Sequence, residues 1–201
     1  EGKDLLLALK EKALITAEQD VILMQAHGDI LDNILELQDE ISILIIGIKS
    51  HDKNKIGENV KDIIRELNKP ILLVNSEFIT PKKILIAYNG SEESKKILTT
   101  AVRNPIFKDV TRDIVNINDD KLFSEKILDE AKKIYAKSEI DIKTSVLSGD
   151  AKTEILTYMY ENDCDILAMG AFGHSRIKEF IFGSFTSEII AQSKKPILFY
   201  R

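Results

Sequence analysis

The chain has 201 residues, of which 44% are apolar and 30% charged, with a single Cys and a formal charge of −5. This mixture excludes a disordered or fibrous chain, and one Cys excludes an internal disulfide framework or a zinc ribbon. The acidic balance argues against a nucleic-acid partner.

Near the start, Leu5, Leu6, Leu9 and Ala13 recur at helical spacing. His27-Gly28-Asp29 reads as a turn before the apolar pair Ile34-Leu35, and Glu40–Gly47 as a short apolar strand ending in Gly. Lys69-Pro70 leads into a further strand, Ile71–Val74. Asn75–Lys83, with Pro81, reads as a linker. Lys83–Tyr88 is a buried strand running into the turn Asn89-Gly90-Ser91. Ile97, Leu98, Ala101 and Val102 mark a helix; Ile114, Val115 and Ile117 mark a second strand. Phe123, Ile127, Leu128, Ala131, Ile134 and Tyr135 form the apolar stripe of an amphipathic helix. Ile140 to Leu147 is a strand, and Asp150 caps a helix with Ile155, Leu156 and Met159 on its inner side. Asp165–Met169 is a buried strand ending at Gly170, a helix starts at Ser184, and Ile197–Tyr200 follows Pro196 as a last strand. Apolar runs such as Ile43–Ile48 are far short of the ~20 residues of a membrane helix. No charged stretch followed by an apolar run opens the sequence, so a cytoplasmic protein with no membrane partner is expected.

Three landmarks recur in order. His27-Gly28-Asp29 returns as Ser148-Gly149-Asp150, the apolar strand ending at Gly47 returns ending at Gly170, and Lys69-Pro70-Ile71-Leu72 returns as Lys195-Pro196-Ile197-Leu198. The offsets are 121 for the first and 126 for the last. Two copies of one module follow: an incomplete copy over residues 1–75, a linker over 76–82, and a complete copy over 83–201. The segment equivalent to Lys82–Lys121 has no counterpart in the first copy. The complete copy alternates strand and helix, with strands apolar throughout, which predicts an α/β fold: a five-stranded parallel open sheet with helices on both faces.

The segment richest in chemistry is Met169-Gly170-Ala171-Phe172-Gly173-His174-Ser175-Arg176, followed by Gly183-Ser184-Phe185-Thr186. It spells Gly-x2-Gly, nine residues, then Gly-Ser. Glycines after a strand's carboxyl end let the backbone turn tightly and present N–H groups. A helix start at Ser184 adds free N–H groups and a positive dipole end, both suited to phosphate. Ser184 and Thr186 add hydroxyls, and His174 and Arg176 can supply charge. Ligands of open parallel sheets sit at the carboxyl ends of strands, so the Asn89 turn faces the same crevice. No Walker A loop is present.

This arrangement resembles the universal stress protein family, whose nucleotide-binding members carry Gly-x2-Gly-x9-Gly-Ser/Thr. The resemblance covers Lys82–Arg201 and, more weakly, Glu1–Asn75, as in a tandem universal stress protein. It implies the adenine-nucleotide α-hydrolase-like version of the fold and the binding of ATP, with Mg2+ as companion cation. Gly170, Gly173, Gly183, Ser184, Phe185 and Thr186 would hold the phosphates. Ala87, Tyr88 and Asn89 would approach the adenosine, with Ile117 or Val115 beside the base and Met169 leading into the loop. Binding members usually carry Asp where Asn89 stands, a basic residue where His174 stands, and Val where Phe185 stands. In the first copy Ser50 replaces the second Gly, and Gly57 is followed by Glu58, whose carboxylate repels phosphate, so that copy is expected to be nucleotide-free. In the family the last strand pairs with its equivalent in a partner; here Ile71–Val74 could pair with Ile197–Tyr200 within one chain, a pseudo-dimer, and a homodimer is a further expectation.

Cys164 has no partner Cys and reads as a packed thiol, and neither His27 nor His51 belongs to a set with metal-ligand spacing. No residue stands out as a base for attacking water. The leading reading is therefore an ATP-binding regulatory stress-response protein with little or no catalysis, weak ATP hydrolysis being compatible with it. The alternative is a scaffold or dimerisation module of the same fold that binds no nucleotide. An ATP pyrophosphatase ranks last, because Asn89-Gly90-Ser91-Glu92-Glu93-Ser94 lacks the Ser-Gly-Gly-x-Asp-Ser loop.

Overall fold

The computed structural model describes residues 4, 6–11, 21–48, 57–74, 79–138, 140–170 and 184–201. Seven strands form one sheet: β1 (Leu44–Gly47), β2 (Ile71–Val74), β3 (Lys83–Ala87), β4 (Thr111–Ile117), β5 (Ile142–Leu147), β6 (Ile166–Gly170) and β7 (Ile197–Tyr200). Their order is β1-β2-β7-β6-β3-β4-β5. The helices are α1 (Ile30–Glu36), α2 (Glu58–Glu66), α3 (Glu92–Arg103), α4 (Lys121–Tyr135), α5 (Ala151–Glu161) and α6 (Ser184–Gln192), with a 3-10 turn at Pro105–Phe107.

The sequence pattern predicts a parallel sheet of five strands; the sheet has seven and is mixed. The five strands from β3 to β7 run parallel to one another, and β1 and β2 are parallel to each other. The two sets meet at β2 and β7, which pair antiparallel with Leu72 opposite Leu198. The physical reason is the edge: without β2, the main-chain donors and acceptors of β7 would face water or another chain. Register is matched about this junction. Leu44 stands beside Ile71 in β1–β2 as Leu167 stands beside Ile197 in β6–β7.

The sheet is covered on both sides, which is why its strands read as unbroken apolar runs. On one side, Leu72, Ile84, Ile86, Ile114, Ala168 and Leu198 pack with Ile97, Leu98 and Ala101 of α3 and Leu128, Ala131 and Tyr135 of α4. On the other, Ile71, Leu73, Leu85, Val115, Leu167 and Phe199 pack with Ile63 and Ile64 of α2, Ile155 and Met159 of α5, and Ile189 and Ile190 of α6. Leu31, Ile34 and Leu35 of α1 are partly buried against this second core.

The helix starts follow local chemistry. Asp150 accepts from the Thr153 main-chain N–H at 3.0 Å and from its hydroxyl at 2.7 Å, which satisfies first-turn donors of α5. Asp29 does the same for Leu31 at the start of α1. Each cap follows a glycine in the left-handed region, Gly28 at φ 99° and Gly149 at φ 112°. A charged side chain closes the other end of α3. Arg112, only 3% exposed, donates to the carbonyls of Ala101 at 2.7 Å and Phe107 at 2.6 Å, and to that of Val110. Its charge sits where the dipole of α3 ends negative.

Candidate functional site

β3 lies between β6 and β4, with Ala87 beside both Met169 and Val115. The chain leaves β3 into α3 on one side of the sheet, and β4 leads to α4 on that same side, whereas α5 and α6 lie on the opposite side. Where strand ends diverge in this way a crevice opens beyond the carboxyl ends. A cleft of about 220 Å³ occupies that place. Its walls are Ala87, Tyr88, Asn89 and Ser91 after β3, Ile117 at the end of β4, Ala151 and Ile155 of α5, Met169 and Gly170 at the end of β6, and Phe185 of α6.

Seven of the residues expected at a site thus meet in one place: Ala87, Tyr88, Asn89, Ile117, Met169, Gly170 and Phe185. Ser184 and Thr186 flank Phe185 in the first turn of α6, Ser184 exposed and Thr186 buried. Gly173, His174, Arg176 and Gly183 lie outside the described residues. Ser91 belongs to the turn expected to face the crevice, whereas sequence reasoning missed Ala151 and Ile155 as wall residues. The signal for the α5 pair was there, since Gly149-Asp150 places a helix start at the carboxyl end of β5.

The wall residues differ in what they can offer. Tyr88 meets the cleft with its main chain, because its ring lies in the core on the α3 and α4 side. Its hydroxyl donates to Glu130 at 3.0 Å, and burial together with that carboxylate pushes its pKa well above the ordinary phenol range. Its carbonyl accepts from the Asn116 amide at 2.7 Å, and the Asn116 oxygen accepts from the Ser124 hydroxyl at 2.7 Å. These buried bonds fix the end of β3 to α4. Asn89 closes its own turn, its side-chain oxygen accepting from the Ser91 N–H at 3.0 Å. Gly90 follows at φ 79°, a conformation that Gly adopts readily because it has no β-carbon.

Gly170 has a packing reason as well as a place in the cleft. A β-carbon there would stand 2.9 Å from Cβ of Glu93 and 3.3 Å from the Ser94 nitrogen. The end of β6 therefore touches the first turn of α3. Outside the cleft, Cys164 is fully buried, and burial pushes its thiol pKa up to about 11, so it carries no thiolate at neutral pH. Among the described residues no group of three His, Cys, Asp or Glu side chains could hold a metal, and no helix is long and apolar enough to cross a membrane.

A model of the universal stress protein family matches residues 80–201. The chain belongs to the universal stress protein family. It is 30% identical over 189 residues to the universal stress protein Slr1230 of Synechocystis, a match covering 91% of this chain and 66% of that protein. The chain thus spans just under two thirds of that relative's length. The crystal structure of a universal stress protein from Archaeoglobus fulgidus superposes with a TM-score of 0.79 at 18% identity, over 99% of this chain and 75% of that one. A universal stress protein solved in complex with cAMP superposes with a TM-score of 0.51 at 20% identity, over 60% of this chain and 97% of that one.

Proposed function

We propose that this universal stress protein is a regulatory stress-response protein that binds an adenine nucleotide, ATP with Mg2+, in the cleft at the ends of β3, β4 and β6, and does little or no chemistry on it. The observation that carries this reading is convergence: residues from four separate stretches of sequence, singled out by a glycine-serine spacing, a turn and the family resemblance, wall one cleft. The walls suit the parts of the molecule. Ala87, Ile117, Met169 and Ile155 offer an apolar surface for a base, and the starts of α5 and α6 offer main-chain donors for anionic oxygen. The donor set near Asn89 is an amide with one oxygen already engaged, so it would hold the ribose by donation and not as a charged acceptor. That a fold relative was solved with cAMP supports an adenine ligand.

The same reading takes the chain as a tandem arrangement whose first repeat is incomplete and nucleotide-free, with β1 and β2 standing for β6 and β7. Glu58 opens α2 as Ser184 opens α6, and a carboxylate at that helix start would repel phosphate. The test is calorimetric titration of ATP–Mg2+ into the wild type and into Gly173→Ala and Ser184→Ala. Each variant should weaken binding by about tenfold, a difference of about 1.4 kcal/mol. Affinity indifferent to both substitutions would overturn the phosphate assignment and leave a nucleotide-free scaffold.

A further inference from the structure

Asn116 and Ser124 are polar residues in an apolar place. Asn116 is 2% exposed and Ser124 fully buried, and their neighbours in β4 and α4, Ile114 and Leu128, belong to the apolar core on that side of the sheet. Burying polar groups costs free energy unless each finds a partner, and a pair of apolar side chains would hold α4 to β4 without that cost. The amide does what an apolar side chain cannot. Its nitrogen donates to the Tyr88 carbonyl at 2.7 Å, and its oxygen accepts from the Ser124 hydroxyl at 2.7 Å. A carbonyl only accepts, so Tyr88 decides which end of the amide faces it, and the hydroxyl takes the other.

That bond falls where β3 and β4 part. Their parallel ladder runs from Lys83 beside Thr111 to Ala87 beside Val115, and the Tyr88 N–H still donates to the Val115 carbonyl at 2.9 Å. The next rung of an evenly spaced ladder would run from the Ile117 N–H to the Tyr88 carbonyl. The carbonyl is bonded instead to the Asn116 side chain. β4 itself does not stop there: Ile117 stays beside Leu147 of β5, and the Asn118 N–H donates to the Leu147 carbonyl at 3.0 Å. β3 alone leaves the sheet. It leaves toward α4, because Ser124 holds the amide from that side and the Tyr88 hydroxyl donates to Glu130 of the same helix at 3.0 Å. Asn89 and Ile117, which a continued ladder would bring side by side, both wall the cleft.

We infer that Asn116, oriented by Ser124, is a positioning residue for the nucleoside end of the cleft. By occupying the Tyr88 carbonyl it ends the β3–β4 ladder one rung short, which keeps Asn89 apart from Ile117 and leaves room there for a base and its ribose. The phosphate end, at the starts of α5 and α6, is not held by these bonds. What fills the gap rests on the nucleotide-binding reading; how the gap is made rests on the hydrogen bonds alone.

The test separates the two ends of the ligand. Adenosine and inorganic tripolyphosphate are each titrated by calorimetry into the wild type, Asn116→Leu and Ser124→Ala. Adenosine should bind about tenfold more weakly to Asn116→Leu, and less weakly affected but still reduced in Ser124→Ala, with tripolyphosphate unchanged in both. A purely structural role would weaken both probes together, and that result overturns the inference, as does adenosine binding that ignores both substitutions. Ser124→Ala removes only a hydroxyl and carries the measurement if Asn116→Leu does not fold. Hydrogen-bond couplings in nuclear magnetic resonance read the same device without any ligand. In the wild type the Tyr88 carbonyl carbon should couple to the Asn116 side-chain nitrogen, and in Asn116→Leu to the Ile117 main-chain nitrogen; absence of either coupling in the folded protein overturns the inference. Wild-type protein that binds no ATP overturns the nucleotide-binding reading and leaves the inference to the couplings, which decide it also where either probe binds too weakly to titrate.

Discussion

Truncating Leu72 and Leu198, singly and together, tests whether the two halves of the sheet are one structure. Both side chains are fully buried and stand opposite each other across the antiparallel junction. Each Leu→Ala change removes buried methyl groups and leaves a cavity, at a cost of about 2–5 kcal/mol. The second truncation widens the cavity the first has made, so the pair should not be additive, with a coupling of about 0.5–3 kcal/mol. The joint loss is comparable with the whole stability of an ordinary domain, about 5–15 kcal/mol. Urea unfolding followed by circular dichroism measures each value, and the dependence on denaturant should keep one slope in a single transition. Single losses under about 1 kcal/mol that add within about 0.5 kcal/mol would refute a packed junction. Two separate transitions would do the same.

Arg112→Met keeps much of the side-chain volume but abandons the carbonyls of Ala101, Phe107 and Val110; the loss should be about 3 kcal/mol or more, read by thermal and urea unfolding. Gly170→Ala forces β6 away from the first turn of α3, where the obstacle includes the main-chain nitrogen of Ser94 at 3.3 Å, and should cost about 1–3 kcal/mol in stability while also weakening ATP binding in calorimetry. Cys164 should resist a thiol reagent at pH 8 and react fully once the chain is unfolded in urea. Its folded pKa, pushed by burial to about 11 from 9.0, means that the folded chain holds this proton longer than the unfolded one. The thiol's contribution to stability is therefore constant below about pH 9 and lost as pH rises toward 11, and Cys164→Ala should remove that part of the alkaline decline in unfolding measured across this range.

Much of the second half was legible because its strands and helices announce themselves locally. Lys83–Ala87 is apolar and ends at Asn-Gly-Ser, and the stripe from Phe123 to Tyr135 is spaced for one helix face. The side each strand residue faces was not legible, because a sheet covered on both sides shows no alternation. Tyr88 was expected near the adenosine; it lines the cleft, but its ring enters the core under α3 and α4. Gly170 could be read as a ligand glycine from its spacing, yet its contact with Glu93 depends on how α3 docks. Arg112 and Asp113, both buried, gave no sign of their roles, since a charged pair inside a short strand resembles a solvated one until the carbonyls of α3 are in place. The pairing of Ile71–Val74 with Ile197–Tyr200 was legible from the recurring Lys-Pro-Ile-Leu landmark together with the family resemblance, and the two strands do pair, antiparallel; no local pattern alone encodes a contact between segments so far apart.

The seat of β7 bears on the order in which this chain can be completed. The strand latest in sequence lies third from the β1 end, with neighbours on both flanks. During synthesis β1 and β2 emerge first and β6 well afterwards, and each must wait, edge exposed, for Ile197–Tyr200 to wedge between β2 and β6. Until then the nascent protein presents two sticky ribbons, a period in which a chaperone's protection matters most and a stall on the ribosome near residue 196 would be most hazardous.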